Sequence, residues 1–441
     1  MSSLSGESTV HGPVVSRSAR VADVSYRAFL ASRDPPRIHW ADPDGLELSG
    51  AGAAAAVTAS GAERFDAVRK WADRLFAESD HDGPDVARPR LLGGFAFFDD
   101  HEAGGAWAGF PAAQFVLPEV QLTSAGDETW LTVTRAGTDV DPSNVEAALD
   151  DAQAAVESLP AMKPGGPHPG VDRTSPTPEK EVWCEQVADA LDRIESGDLQ
   201  KVVLATALRA DLAGPVEPRD LLERLRQRYS ECFRFLVEPT DDAAFLGATP
   251  ERLVTLHGNV VETAALAGSV GRGDTPAEDA RLAERLRESD KLRHEQRLVT
   301  DAIADCLDAF GDVTVSDRGV RRLSNIQHLE TPIRADVDES THVLDVVEGL
   351  HPTPAVNGLP PAAALATIRE TETFDRGWYA APVGWFDADG DGTFGVGLRS
   401  AVTADRTVTL FAGNGIVADS DPEAEWEEVQ LKYRPILDEL E

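Results

Sequence analysis

Two kinds of hydrophobic spacing alternate along the chain. Phe65, Val68, Ala72, Leu75 and Phe76 recur at helical intervals and predict an amphipathic helix over 62–78. The run LLGGFAFF at 91–98 reads as a buried strand, and 115–123 and 130–134 add further β segments. Residues 144–159 take helical spacing again. Beyond 177 the pattern predicts helices at 178–196 and 219–229. Strands are predicted at 201–208, 233–237, 244–246, 253–255 and 260–262. One long helix is predicted over 276–310, a hairpin around Gly390 and Gly392, and a last helix from Pro422. No fixed-period repeat emerges. The pattern is mixed α/β, of the α+β kind, with mainly antiparallel pairing.

Composition divides this pattern into segments. Residues 1–18 are small and polar and are expected to be disordered. The stretch MKPGGPHPGVDRTSPT at 162–177 is dense in proline and glycine and reads as a connector. It separates a first part, 19–161, from a second, 178–441, although the whole is read as one compact unit. The 441 residues, 42% of them apolar, suffice for a large core. Cys184, Cys232 and Cys306 are too scattered for a disulfide framework or a spaced zinc site. The start of the chain lacks a basic and an apolar region, and no apolar run approaches the roughly 18 residues of a membrane span. A soluble, cytoplasmic protein is the expectation.

Charge narrows the partners. Asp and Glu number 77 against 41 Lys and Arg, a net −36. Lysine occurs only at 70, 163, 180, 201, 291 and 432. Nucleic acid and anionic membranes would be repelled by such a surface. The acids are spread along the chain and form no tail. This fits a hydrated surface suited to a salt-rich cytoplasm, where short Debye lengths screen self-repulsion.

Single motifs say little. The acidic run Asp387–Gly392 imitates the start of a calcium loop, but Leu398 stands where its bidentate Glu should be, so an acidic turn between strands is the reading. Gly268–Gly273 is glycine-rich without being a Walker or dinucleotide fingerprint, and tight turn geometry explains it. Glu425, Glu428 and Lys432 share one face of the last helix, and Gly413 and Gly415 upstream permit close backbone approach to a ligand.

Taken in order, nine segments carry a resemblance: KVVLAT (201–206), GATPERLV (247–254), ALAGS (265–269), SDKLRHEQRLV (289–299), IQHLETPI (326–333), LHPTPAV (350–356), DRGWYAAPVGW (375–385), GLRSAV (397–402) and AGNGIVADSDPEAEWEEVQLK (412–432). Over 178–441 the chain resembles the chorismate-utilising enzymes, among them isochorismate, salicylate and anthranilate synthases. The resemblance implies an anthranilate synthase component I-like fold, two antiparallel sheets around a cleft with outer helices. It implies Mg²⁺ held by Glu295 and Glu428, with Glu425 nearby as an orienter or water-mediated ligand. Arg399, Tyr379, Gly413 and Gly415 would hold the enolpyruvyl carboxylate. Lys432 would face a substrate carboxylate, and His328 would lie beside the ring carboxylate and the leaving hydroxyl. Gly268 and Ser269 complete the implied substrate site. Leu292 departs from the family pattern, standing where relatives carry an acid that helps shape the metal site.

Two positions point to water as the attacking group. The residue at 201 is Lys, where amine-transferring relatives carry Gln. Position 267 is Ala, where aminodeoxychorismate synthases carry a nucleophilic Lys. Lys201 is therefore the expected base and Glu251 the expected acid. The base must be neutral and the acid protonated, a pair held in opposite states by their surroundings. Isochorismate synthase with chorismate as substrate is the reading, needing no amidotransferase subunit. Salicylate synthase, anthranilate synthase component I and a non-catalytic chorismate binder are the alternatives.

Overall fold

The computed structural model describes residues 12–159, 165–323 and 326–441. Two large sheets form its core, of 13 and 10 strands among the described residues. Among the described residues all strand pairs are antiparallel except Val14–Val21 against Ser79–Asp82. No helix among the described residues is long and apolar enough to cross a membrane.

The chain joins the sheets by switching strands between them. Leu46–Ala51 lies in the larger sheet and Ala55–Ala59 in the smaller. Ala113–Leu117 lies in the smaller and Val120–Ala125 in the larger. Pro118 breaks this second pair, because it supplies no ladder donor. Two later crossings connect Ala243–Thr249 to Arg252–His257 and Gly392–Val396 to Ser400–Ala404. Such corners put loop residues where two sheets meet. Aromatic rings fill that junction: Trp107 packs on Phe245 at 5.2 Å and on Phe411 at 5.1 Å, and Phe110 meets Trp378 at 5.6 Å.

Helices cover the outside. Asp290–Leu307 packs on Val260–Gly271 and Ile326–Val337 of the smaller sheet, and Pro422–Leu437 packs on Thr407–Ile416 of the larger. Gln296 fixes the first of these by donating to Ala265 O at 2.8 Å and to Thr331 Oγ1 at 3.1 Å.

Several expectations change. The one helix over 276–310 is two, Pro276–Glu288 and Asp290–Leu307. Ser289 divides them, leaving helical dihedrals to cap the second through its hydroxyl, which accepts from Leu292 N at 3.3 Å. Residues 12–18 are not disordered, since Val14–Val21 is a strand paired with Glu128–Ala136, and Val14 and Val15 are buried; residues 1–11 lie outside the described residues. Within the expected connector, residues 162–164 likewise lie outside the description. Val171–Thr177 is a strand of the larger sheet, paired on Lys201–Leu212. Its Pro176 is tolerated because the strand is at the edge. Gly268–Gly271 belongs to a strand and not to a tight turn. Gly268, at φ +68°, forms a bulge there against Ile326–Val337.

Candidate active site

A cavity of about 300 Å³ opens between the sheets. Lys201, Glu251, Gly268, Glu295, His328, Tyr379, Arg399, Gly413, Gly415, Glu425, Glu428 and Lys432 all line it. These are the residues singled out from the sequence, with one exception: Ser269 has its backbone in the strand opposite His328, but its side chain lies outside the described residues, as does that of Ala267.

One wall is a strand pair. Lys201–Leu212 runs against Thr407–Ile416 with Val203 opposite Gly415 and Ala205 opposite Gly413. Residues 201, 203 and 205 share one face, and the glycines opposite keep that face low. A Cβ on Gly415 would stand 2.7 Å from Lys201 Cε, and one on Gly413 would stand 3.2 Å from the Tyr379 hydroxyl. Absent side chains here make room for the lysine and the phenol. Lys201 donates to Glu295 Oε1 at 2.9 Å. The lysine expected to stand as a lone base is thus the ion-pair partner of the carboxylate expected to hold metal. To take a proton from water it must give up both that contact and its own proton.

Two sheet crossings supply the opposite chemistry. Glu251 sits on the link between Ala243–Thr249 and Arg252–His257, and Arg399 on the link between Gly392–Val396 and Ser400–Ala404. The links brace one another: Val396 N donates to Glu251 O at 3.0 Å and Ala248 N to Arg399 O at 3.2 Å. Arg399 adopts φ +47°, a left-handed conformation rare for a side chain of this size. Its buried Nη1 has no hydrogen-bond partner, so the site holds a cation that an incoming anion can satisfy. Burial pushes the Glu251 carboxyl up to about 7, and the positive charge of Lys201 limits the rise. Burial likewise raises the Tyr379 phenol, which keeps its proton. His328 is pushed down to about 3 by burial and by Arg399, Lys432 and Arg321, so its imidazole is neutral.

Three carboxylates lie on the remaining wall. Glu425 accepts from Asn414 Nδ2 at 2.8 Å, and Glu428 meets Lys432 at 3.0 Å. Among the described residues no three His, Cys, Asp or Glu side chains converge as a ready-made metal cage, so the expected trio is not a preformed site. Glu295 and Glu428 still offer hard oxygen donors to one cavity. That set fits Mg²⁺, which keeps several waters and takes one or two carboxylates plus substrate oxygens. Leu292, also on the wall, packs beside Gly268 and adds no donor. Lys432 directs its ammonium to Gly413 O at 2.9 Å, to Asn414 Oδ1 and to Glu428.

One further wall residue, Arg376, and two buried residues behind the wall, Glu372 and Asn414, were missed from sequence. Arg376 and Glu372 form a bidentate pair that is almost wholly buried. Arg376 also donates to Val203 O at 2.7 Å and Val356 O at 2.9 Å, while Glu372 accepts from Ala205 N at 2.8 Å. The pair ties the Lys201 strand to the loop carrying Tyr379. Arg376 lies in the quoted run 375–385, but no spacing rule marks a buried arginine. Asn414 is also buried, and the glycines on either side were its only signal.

Comparison with known proteins bears on the family and the fold. The sequence profile of the chorismate binding enzymes matches residues 3–441. The salicylate biosynthesis isochorismate synthase of Pseudomonas aeruginosa is 36% identical over 92% of this chain and 85% of its own length. The menaquinone-specific isochorismate synthase MenF of Escherichia coli superposes with a TM-score of 0.83 at 27% identity, covering 99% of this chain and 97% of that one. Anthranilate synthase component I of Streptococcus pneumoniae shares the fold, with a TM-score of 0.72 at 19% identity over 95% and 92% of the two chains. With the profile spanning nearly the whole sequence and these folds matching end to end, the chain belongs to the chorismate binding enzyme family.

Proposed function

We propose that this protein is an isochorismate synthase. It adds water to C2 of chorismate, shifts the ring double bonds and expels the C4 hydroxyl. The observation that carries this reading is the pair on opposite strand systems of one cavity: an amine, Lys201, and a carboxyl, Glu251, raised by burial to about 7. Lys201, once it has lost its own proton and its contact with Glu295, takes the proton of the attacking water. Glu251 gives its proton to the departing hydroxyl, which leaves as water. Each residue ends in the protonation state from which the reverse reaction starts, as an isomerisation requires.

The substrate is a dianion in a chain of net charge −36, so binding rests on local cations and donors. Arg399, with the Tyr379 hydroxyl and the backbone at Gly413 and Gly415, receives the enolpyruvyl carboxylate. Neutral His328 lies beside the ring carboxylate and the leaving hydroxyl, and Lys432 adds positive charge. Glu295 and Glu428 would hold Mg²⁺, which when bound supplies charge to the ring carboxylate; Glu425 orients nearby. Water as nucleophile leaves no role for an amidotransferase subunit. The resemblance to the menaquinone-specific enzyme supports menaquinone synthesis as the pathway served.

The test is product analysis of the purified protein in molar KCl with chorismate and Mg²⁺ and no ammonium. Isochorismate alone is expected. Salicylate with equimolar pyruvate would reassign the chain to salicylate synthases. Turnover only after ammonium is added would overturn the water-activation argument, and no turnover under any condition would leave a chorismate binder.

A further inference from the structure

We propose that Asn414 is a positioning residue that sets the Glu425 carboxylate and the Lys432 ammonium at a fixed separation on the cavity wall. The proposal rests on reading this cavity as the active site.

The geometry is specific to an amide. Asn414 Oδ1 accepts from Lys432 Nζ. Its Nδ2 donates to Glu425 Oε2 at 2.8 Å and to Glu425 O at 2.9 Å. Lysine can only donate, and an ionised carboxylate or a carbonyl can only accept, so the amide has one possible orientation. No other side chain of this size offers a donor and an acceptor in one plane. Asn414 is 1% exposed, which removes water as a substitute partner.

Its position explains why the contact crosses elements. Gly413 and Gly415 lie opposite Ala205 and Val203 on the cavity side of their strand. Asn414, between them, takes the opposite face, under helix Pro422–Leu437. The residues it holds are 11 and 18 positions further on, nearly two turns apart on that helix. The Gly413 carbonyl accepts from the same ammonium at 2.9 Å. The strand therefore holds the helix through three polar groups within two residues. Truncating Asn414 frees the Glu425 carboxylate to take other rotamers and leaves the ammonium with Gly413 O and Glu428 as its partners.

The experiment compares N414L, close in size and without polar atoms, and N414S, polar but too short to reach both partners, with the parent. Three quantities are read: the Mg²⁺ dissociation constant by calorimetry without substrate, the chorismate KM at saturating Mg²⁺, and the thermal midpoint. Hydrogen bonds to charged groups of roughly 1.5–3 kcal/mol correspond to about ten-fold or more in a binding constant. N414L is expected to raise both constants about ten-fold, and N414S to raise them by less. A variant whose midpoint falls while both constants stay within two-fold of the parent would show a merely structural role and overturn the proposal. Both constants unchanged in N414S alone would overturn it equally, should N414L fail to fold. A parent without chorismate turnover would refute the functional reading, yet the Mg²⁺ isotherms would still decide the Glu425 contact.

Discussion

Lys201 meets Glu295 at 2.9 Å, and Lys432 meets Glu428 at 3.0 Å. The first pair exposes 4% and 20% of its side chains, the second 36% and 52%. Equal chemistry at equal distance therefore sits in two different media. The outer pair is one contact among several for Lys432, which also donates to Gly413 O and Asn414 Oδ1. An exposed pair of this kind contributes about 0–1 kcal/mol. The inner pair is harder to break without a replacement partner, because a carboxylate left alone in a partly desolvated wall pays more of its hydration cost. A site that must hold a cation, a dianion and a proton acceptor gains from this asymmetry. On the proposed reading, the inner lysine serves the chemistry and the outer one attraction.

The largest effect should come from the inner pair. Lys201→Ala is expected to lower turnover about 10³-fold, the range of a lost general base. Calorimetry should show chorismate still binding to this variant. Turnover within ten-fold of the parent would remove Lys201 from the base role.

Glu251, on the sheet crossing opposite, tests the same cavity through pH. Its carboxyl is raised to about 7 by burial, so the proton needed for the leaving hydroxyl is present below that pH and lost above it. Turnover is expected to fall as pH rises through about 7, and Glu251→Gln to lose roughly 10²-fold together with that limb of the profile. Stability moves the same way. The folded state binds this proton more tightly than the unfolded chain, so its contribution is full below the ordinary carboxylate range and is lost as pH rises through about 7. A Glu251→Gln variant with the parent's pH profile would assign the limb to another group.

The residues of this cavity were legible because they sit in motifs whose order along the chain survived intact. Lys201, Glu295, Glu428 and Arg399 come from separate motifs, and the cavity gathers all four. Their partners were not legible. The Lys201–Glu295 contact joins a strand start to a helix 94 residues later, and no local pattern encodes it. Glu372 and Arg376 are acidic and basic residues almost without exposure, and charged residues are read as surface unless a partner is known. The sheet crossings were missed for a related reason. Periodicity marked strands at 244–246 and 253–255 but does not say that Pro250 and Glu251 carry the chain from one sheet to the other. The strand Val14–Val21 was lost because small polar residues look like a tail until their partners are known.

The outer pair should respond more gently. Lys432→Met is expected to raise the chorismate KM about ten-fold and to change kcat by less than about three-fold, because a lost charge near the dianion weakens attraction without touching the reacting carbons. Steady-state kinetics at saturating Mg²⁺ reads the split. A fall in kcat as deep as that of Lys201→Ala would make the two pairs equivalent and end the comparison.

Salt gives the smallest effect and separates the two media most directly. At about 1 M the Debye length is roughly 3 Å, so exposed charges hardly sense one another while shielded ones still do. The net −36 then repels itself less, and the thermal midpoint is expected to rise between 0.1 and 2 M KCl. Weakened surface pairs such as Arg193–Glu370 and Arg369–Asp100 oppose this rise, but each contributes little, whereas the repulsion is summed over the whole surface. In the cavity the same salt screens the half-exposed Lys432, so the parent's chorismate KM should climb two- to three-fold and that of Lys432→Met should stay flatter. Lys201 and Glu295 line the cavity with little exposure, and kcat should shift by less than about two-fold. A midpoint that stays level or falls with KCl would mean that the acids are not limiting stability by repulsion. A kcat that tracks salt as steeply as KM would mean that the inner pair is open to the same ions as the outer one.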